Sequence, residues 1–170
     1  MKILLLAGRG ESTNIVYHYL SERITIDSVI MEDAVPCKEF LKKRIKKQGF
    51  FTVLGQILFV AVIETFLRKI SNKRRKEISQ QYHLDKSDDY RKTNKCHFVN
   101  SVNSDETYAL IQELQPDVII INGTRIISKR ILECINAPFI NTHAGITPKY
   151  RGVHGAYWAK YNQDDEHCIS

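Results

Sequence analysis

Residues 117–122, DVIIIN, place four β-branched aliphatic side chains between an aspartate and an asparagine. A run with no polar face to offer water reads as a strand buried on both sides, as in a parallel sheet. Residues 2–7, KILLLA, form a second such run that stops at Gly8-Arg9-Gly10. It leads into ESTNIVYHYLSER, where Ile15, Val16, Tyr19 and Leu20 recur at helical spacing. Further strands are expected at residues 28–31, at 97–99 and in PFINTH, residues 138–143. Helices are expected in ISKRILECI, residues 127–135, and at 104–114. Ser104 and Thr107 are spaced to cap the latter, Asp105 and Glu106 suit its positive end, and Pro116 blocks continuation. Strand and helix alternate across short links, which predicts an α/β fold with an open, doubly wound, mostly parallel sheet. Ligands of such sheets sit beyond the carboxyl ends of the strands, a rim that gathers residues 8–12, 122–125 and 141–150.

A chain of 170 residues with 43% hydrophobic side chains supplies one core, so residues 1–170 read as a single domain. The apolar run after Met1-Lys2 is too short for a secretory leader. Cys37, Cys96, Cys134 and Cys168 are widely separated and form no C-x-x-C pair, so free thiols and a cytoplasmic setting are expected. No histidine spacing fits a metal site.

The net charge of +6 is unevenly spread. Residues 38–76 hold 12 Lys or Arg against two acids, a local balance of +10, while the remainder carries −4. This basic segment interrupts the strand–helix rhythm and reads as an inserted helical arm, residues 38–82. At its centre lies FFTVLGQILFVAVIETFL, residues 50–67, which is 18 residues long and contains Gly55, Gln56 and Glu64. Three readings are open for it. Packing in a core or dimer interface is the first, and docking on an anionic membrane surface, with the chain peripheral to that membrane, is the second. A transmembrane span is the third, at the lower length limit and burdened by Glu64.

Residues 140–152, INTHAGITPKYRG, carry the pattern most suggestive of chemistry. On a strand, Asn141 and His143 project to the same face. An amide donor beside an imidazole suits acyl transfer, because one can stabilise charge on a carbonyl oxygen and the other can move a proton. The plainer alternative is a strand end whose polar side chains bond a turn. Gly145 and Pro148 shape the loop that follows, and HGAYWAKY reads as a helix on which His154 and Trp158 fit packing better than ligand contact. Gly8-Arg9-Gly10 with Ser12 can bind a substrate phosphate at a helix start, or can be a tight turn and nothing more.

Taken together, NTHAGITPKYRG and the following GVHGAYWA resemble the formyltransferase family that uses 10-formyltetrahydrofolate, which includes glycinamide ribonucleotide, methionyl-tRNA and sugar N-formyltransferases. LLLAGRGESTN is similar to that family's first strand and glycine turn, and NGTRIISKRIL to its folate-pocket segment. The resemblance covers residues 1–35 and about 95–168, leaving the arm outside. It implies a Rossmann-like formyltransferase fold, 10-formyltetrahydrofolate as cofactor, and Asn141 and His143 as catalytic residues. It further implies that Gly123, Thr124, Arg125, Ile126 and Ile127 line the cofactor, with the two isoleucines as an apolar wall. Gly8, Arg9, Gly10 and Ser12 would then meet the phosphate of a phosphorylated or nucleotide-linked amine, and Arg151 a substrate phosphate or a folate carboxylate, although Arg151 also reads as a surface cation.

One departure from the family's pattern stands out. The family adds a catalytic Asp in an Asp-x-Gly stretch beyond the His, and no Asp-x-Gly occurs in this sequence, which ends 27 residues after His143. The expectation is therefore a C-terminally incomplete domain whose activity as it stands is uncertain. The substrate expected is an amino sugar on a nucleotide. The alternatives are a methionyl-tRNA-type enzyme and an inactive fragment or binding module. tRNA is the weaker partner, because the arm lacks interleaved aromatics for base stacking; a membrane surface or self-association through residues 50–67 remains open.

Overall fold

The computed structural model describes residues 1–34, 36–143, 146–150, 155–164 and 166. Five strands, β1 (Ile3–Gly8), β2 (Ser28–Glu32), β3 (Cys96–Val99), β4 (Val118–Asn122) and β5 (Phe139–Asn141), form one sheet in the order β3-β2-β1-β4-β5. Every pairing is parallel. Parallel strands need crossovers; three are supplied by α1 (Glu11–Ser21), α5 (Asp105–Leu114) and the short α6 (Lys129–Leu132), and the fourth, from β2 to β3, by the helical arm. A further helix, α7 (Gly155–Tyr161), follows β5.

The two faces of the sheet carry separate cores because side chains alternate along each strand. Leu4, Leu6, Ile30, Ile119 and Ile121 pack with Ile111 of α5 and Ile131 of α6. Ile3, Leu5, Ala7, Val29, Met31 and Ile120 point the other way, against Tyr17 and Leu20 of α1 and against Tyr90. The sheet is thus doubly wound, as its apolar strand runs predict. Ser104 caps α5 as its spacing predicts, accepting from the Thr107 amide at 3.2 Å, and Asp105 and Glu106 occupy the first turn. Gln115 closes α5 in the left-handed conformation just ahead of Pro116.

The arm consists of α2 (Cys37–Gln48), α3 (Phe50–Phe59), a π-helical turn (Val60–Glu64) and α4 (Thr65–Gln81). Gly49, at φ 86°, turns α2 into α3. Its return is tied to α1. The Asn14 amide donates to the Lys86 carbonyl at 2.8 Å, and its Oδ1 accepts from the Tyr90 hydroxyl at 3.0 Å. Tyr17 and Tyr90 stack with centroids 3.8 Å apart. One expectation is corrected here: residues 50–67 are not packed in the core of this chain. Val53 is buried, but only 6% of the apolar window lies inside the protein, because the sheet's two faces are already covered by other helices.

Candidate active site

Parallel pairing brings the carboxyl ends of all five strands to one edge. Gly8 stands opposite Glu32, Glu32 opposite Val99, Ala7 opposite Asn122, and Ile121 opposite Asn141. Strand order reverses between β1 and β4, which is where a doubly wound sheet opens a crevice. At that point Gly8 and Gly123 lie back to back. A Cβ on Gly8 would sit 2.1 Å from the Gly123 carbonyl oxygen, and Gly123 itself adopts φ 66°. Glycine at position 8 allows the two backbones to touch, and beside this contact lies a cavity of about 220 Å³ lined by Gly8, Arg9, Glu32, Gly123, Thr124 and Arg125, among others.

Asn122, nearly fully buried, joins three elements at this edge. Its Nδ2 donates to the hydroxyls of Ser12 at 3.2 Å and Thr13 at 3.1 Å, while its Oδ1 accepts from Thr142 at 2.7 Å. Thr13 in turn donates to the Gly8 carbonyl at 2.6 Å. The start of α1 and the ends of β1, β4 and β5 are therefore locked together by mutually satisfied polar groups, of which Asn122 and Thr13 are buried and Ser12 and Thr142 reach the surface. Thr142 lies between Asn141 and His143, and its backbone amide also donates to the Ile121 carbonyl at 3.0 Å. Asn141 is exposed and His143 is half-buried.

Glu32 is a second buried hub. One carboxylate oxygen accepts from the Val102 amide at 2.9 Å and the other from the Arg125 amide at 3.1 Å, and the Arg125 guanidinium pairs with the same carboxylate. Arg125 also donates to the carbonyls of Asp33 at 3.4 Å and Asn100 at 3.2 Å. The rest of its loop is held by Asn103, whose Nδ2 donates to the Ile126 carbonyl at 3.0 Å and whose Oδ1 accepts from the Ser128 amide at 2.7 Å. Ile127 packs against the core, whereas the Ile126 side chain is 93% exposed.

Arg9 pairs with Asp33 at 2.7 Å and lies over the Phe98 ring at 4.9 Å, spanning the ends of β1, β2 and β3. Gly10, with extended backbone, precedes α1, whose first-turn amides point at the edge. Glu11 is held below the ordinary carboxylate range by its hydrogen bond from Lys86, at 2.7 Å, reinforced by Arg75 at 3.6 Å. On the β5 side, Asp164 accepts from the buried Tyr150 hydroxyl at 3.0 Å and from the Lys149 ammonium, and the Lys149–Asp164 hydrogen bond raises Lys149 above its ordinary value. This fixes the turn at residues 146–150 against the end of α7.

Of the residues singled out from the sequence, Gly8, Arg9, Gly123, Thr124 and Arg125 line one cleft. Ser12 joins the Asn122 hub, and Asn141 and His143 flank it through Thr142. Gly145, Arg151 and His154 lie outside the described residues. The sequence placed Asn122 and Thr142 on the rim without a role for either, and gave no sign of Glu32 or Asn103. The only available signal was a polar residue at the end of an apolar strand, where a buried side chain must find partners.

Comparison with known proteins adds a family context. Residues 30–170 match the formyl transferase family. Methionyl-tRNA formyltransferase from Finegoldia magna is 34% identical over 71 residues, which is 41% of this chain and 23% of that relative. Its counterpart from Desulfotalea psychrophila is 36% identical over 66 residues, covering 38% of this chain and 20% of the relative. The aligned stretches thus span a quarter or less of these curated relatives. Among solved structures, phosphoribosylglycinamide formyltransferase from Streptococcus pneumoniae TIGR4 shares the fold with a TM-score of 0.50 at 14% identity, over 95% of this chain and 67% of that one.

Proposed function

Because the chain belongs to the formyl transferase family, we propose that its strand-end site serves formyl transfer from 10-formyltetrahydrofolate to a substrate amine, in the first instance an amino sugar carried on a nucleotide. The observation that carries this reading is the Asn122 hub, which ties the Asn141–His143 strand end to the glycine turn before α1. The cleft lined by Gly8, Arg9, Gly123, Thr124 and Arg125 lies at this strand-end edge, and the close Gly8–Gly123 backbone contact fixes the two loops that form its walls.

When bound, 10-formyltetrahydrofolate supplies an activated formyl group. Residues 123–127 would hold it, with the loop pre-set by Glu32 and Asn103. Asn141 offers an amide donor to a carbonyl oxygen as negative charge grows on it. His143 assists that charge or moves a proton. Arg9 and the first-turn amides of α1 suit the phosphates of the amine substrate. A second reading, formylation of an aminoacylated tRNA, is favoured by the similarity to methionyl-tRNA formyltransferases.

The test is incubation of the full chain with 10-formyltetrahydrofolate and either a nucleotide-linked amino sugar or methionyl-tRNA, with mass spectrometry of the amine. A formylated sugar supports the first reading, and formylated methionyl-tRNA alone replaces it with the second. Folate binding without turnover of either amine identifies a binding relative, and the absence of binding and turnover overturns the proposal.

A further inference from the structure

The arm presents a long apolar surface that, among the described residues, is left almost entirely uncovered. Phe50–Gln81 is a 32-residue helical stretch long and apolar enough to cross a membrane, with 6% of its apolar window buried. Phe51, Leu58, Phe59, Val62 and Phe66 are each more than half exposed. Cations bracket this surface, with Lys46 and Lys47 just before it and Arg68 and Lys69 just after. Its one acid, Glu64, is neutralised by Arg68 one turn on, at 2.6 Å.

Topology rules out the simplest use of such a helix. The arm leaves the domain after β2 and returns before β3, and these two strands pair with each other in the same sheet. Near its return, Arg75 and Lys86 both contact Glu11 at the start of α1. Both ends of the arm are therefore fixed to one globular body, so any membrane must be crossed an even number of times. The other candidate for a crossing, α2, carries six Lys or Arg in 12 residues. Hydrocarbon will not accept it.

From this we infer that the arm lies in the plane of an anionic lipid surface, with α3 and the start of α4 sunk to headgroup depth and the flanking cations paired with lipid phosphates. Charge selects lipid over a second copy of the chain, because two arms brought together would each carry a local +10. The arm leaves the sheet from the carboxyl end of β2, the edge that carries the candidate site, so docking holds that site close to the lipid. The inference stands independently of the formyl-transfer reading.

Vesicle flotation of the full chain tests it, using phosphatidylcholine alone and phosphatidylcholine mixed with phosphatidylserine. The chain should float with the anionic vesicles and not with the neutral ones, and alkaline carbonate should release it. Phe59→Asp with Val62→Asp should lower the bound fraction at least ~10-fold, as should Lys46→Glu with Lys47→Glu, Arg68→Glu and Lys69→Glu. These side chains are exposed, so circular dichroism should be unchanged. Flotation insensitive to both variants overturns the proposal, as does retention after carbonate. Absence of flotation together with a lipid-free dimer that Phe59→Asp dissociates assigns the face to a second copy instead.

Discussion

The amide oxygen of buried Asn122 accepts the hydroxyl of Thr142 at 2.7 Å, joining the end of β4 to the residue between Asn141 and His143. Thr142→Val keeps the shape and removes the donor, so it should cost about 1 kcal/mol in thermal unfolding. Asn122→Ala removes the bonds to Thr142, Thr13 and Ser12 together, and should cost about 1–3 kcal/mol. The double variant should lose less than the sum of the two, which a double-mutant cycle on unfolding free energies will show.

Gly8 tolerates no side chain, because its Cβ would meet the Gly123 carbonyl at 2.1 Å. Gly8→Ala should therefore force β1 and β4 apart and cost about 1–3 kcal/mol. Gly10 provides the contrast, since it has an extended backbone and nothing within 4 Å of an added Cβ. Gly10→Ala should leave the midpoint of thermal unfolding nearly unchanged.

Glu32 keeps the Arg125 side chain turned toward the sheet and away from solvent proteases. In Glu32→Ala the loop at residues 123–128 should loosen, and tryptic cleavage after Arg125 should accelerate. Mass spectrometry of peptides ending at Arg125 gives the rate. A rate equal to that of the wild type would show that Asn103 alone secures the loop.

Acid should loosen the foot of the arm. The Glu11 carboxyl is held low chiefly by the Lys86 hydrogen bond, so its folded value lies below its unfolded one. Its contribution is then fully present above the unfolded value and lost as pH falls through the folded value. The stability difference between wild type and Glu11→Gln should stay flat from neutral pH to the ordinary carboxylate range and vanish below it, as followed by chemical denaturation.

Asn141 is exposed, so replacing it should not disturb folding. If it donates to the reacting carbonyl oxygen, Asn141→Ala should lower kcat by about 10²–10³-fold with little change in thermal stability. Equal losses in turnover and in unfolding temperature would instead mark Asn141 as structural.

Much of the fold was legible in the chain. The unbroken apolar runs of β1 and β4 announced strands covered on both faces, and Ser104 with Asp105 and Glu106 announced the start of α5. The site was legible in part. A glycine turn, a Gly-Thr-Arg-Ile-Ile loop and an Asn-x-His strand end were visible as motifs, but their polar anchors were not. Glu32 and Arg125 are 93 residues apart, and Ser12 and Asn122 are 110 apart. No local spacing encodes such pairs.

The arm marks the boundary most clearly. Its helical character and its two cationic flanks follow from local composition, because helix formation and charge are properties of neighbouring residues. An apolar helix looks the same in sequence whether protein, lipid or a second chain covers it. Only the tertiary structure shows that both sheet faces are already occupied and that β2 and β3, on either side of the arm, lie in one sheet. That closure leaves residues 50–67 outside the core and keeps both ends of the arm on one side of any membrane.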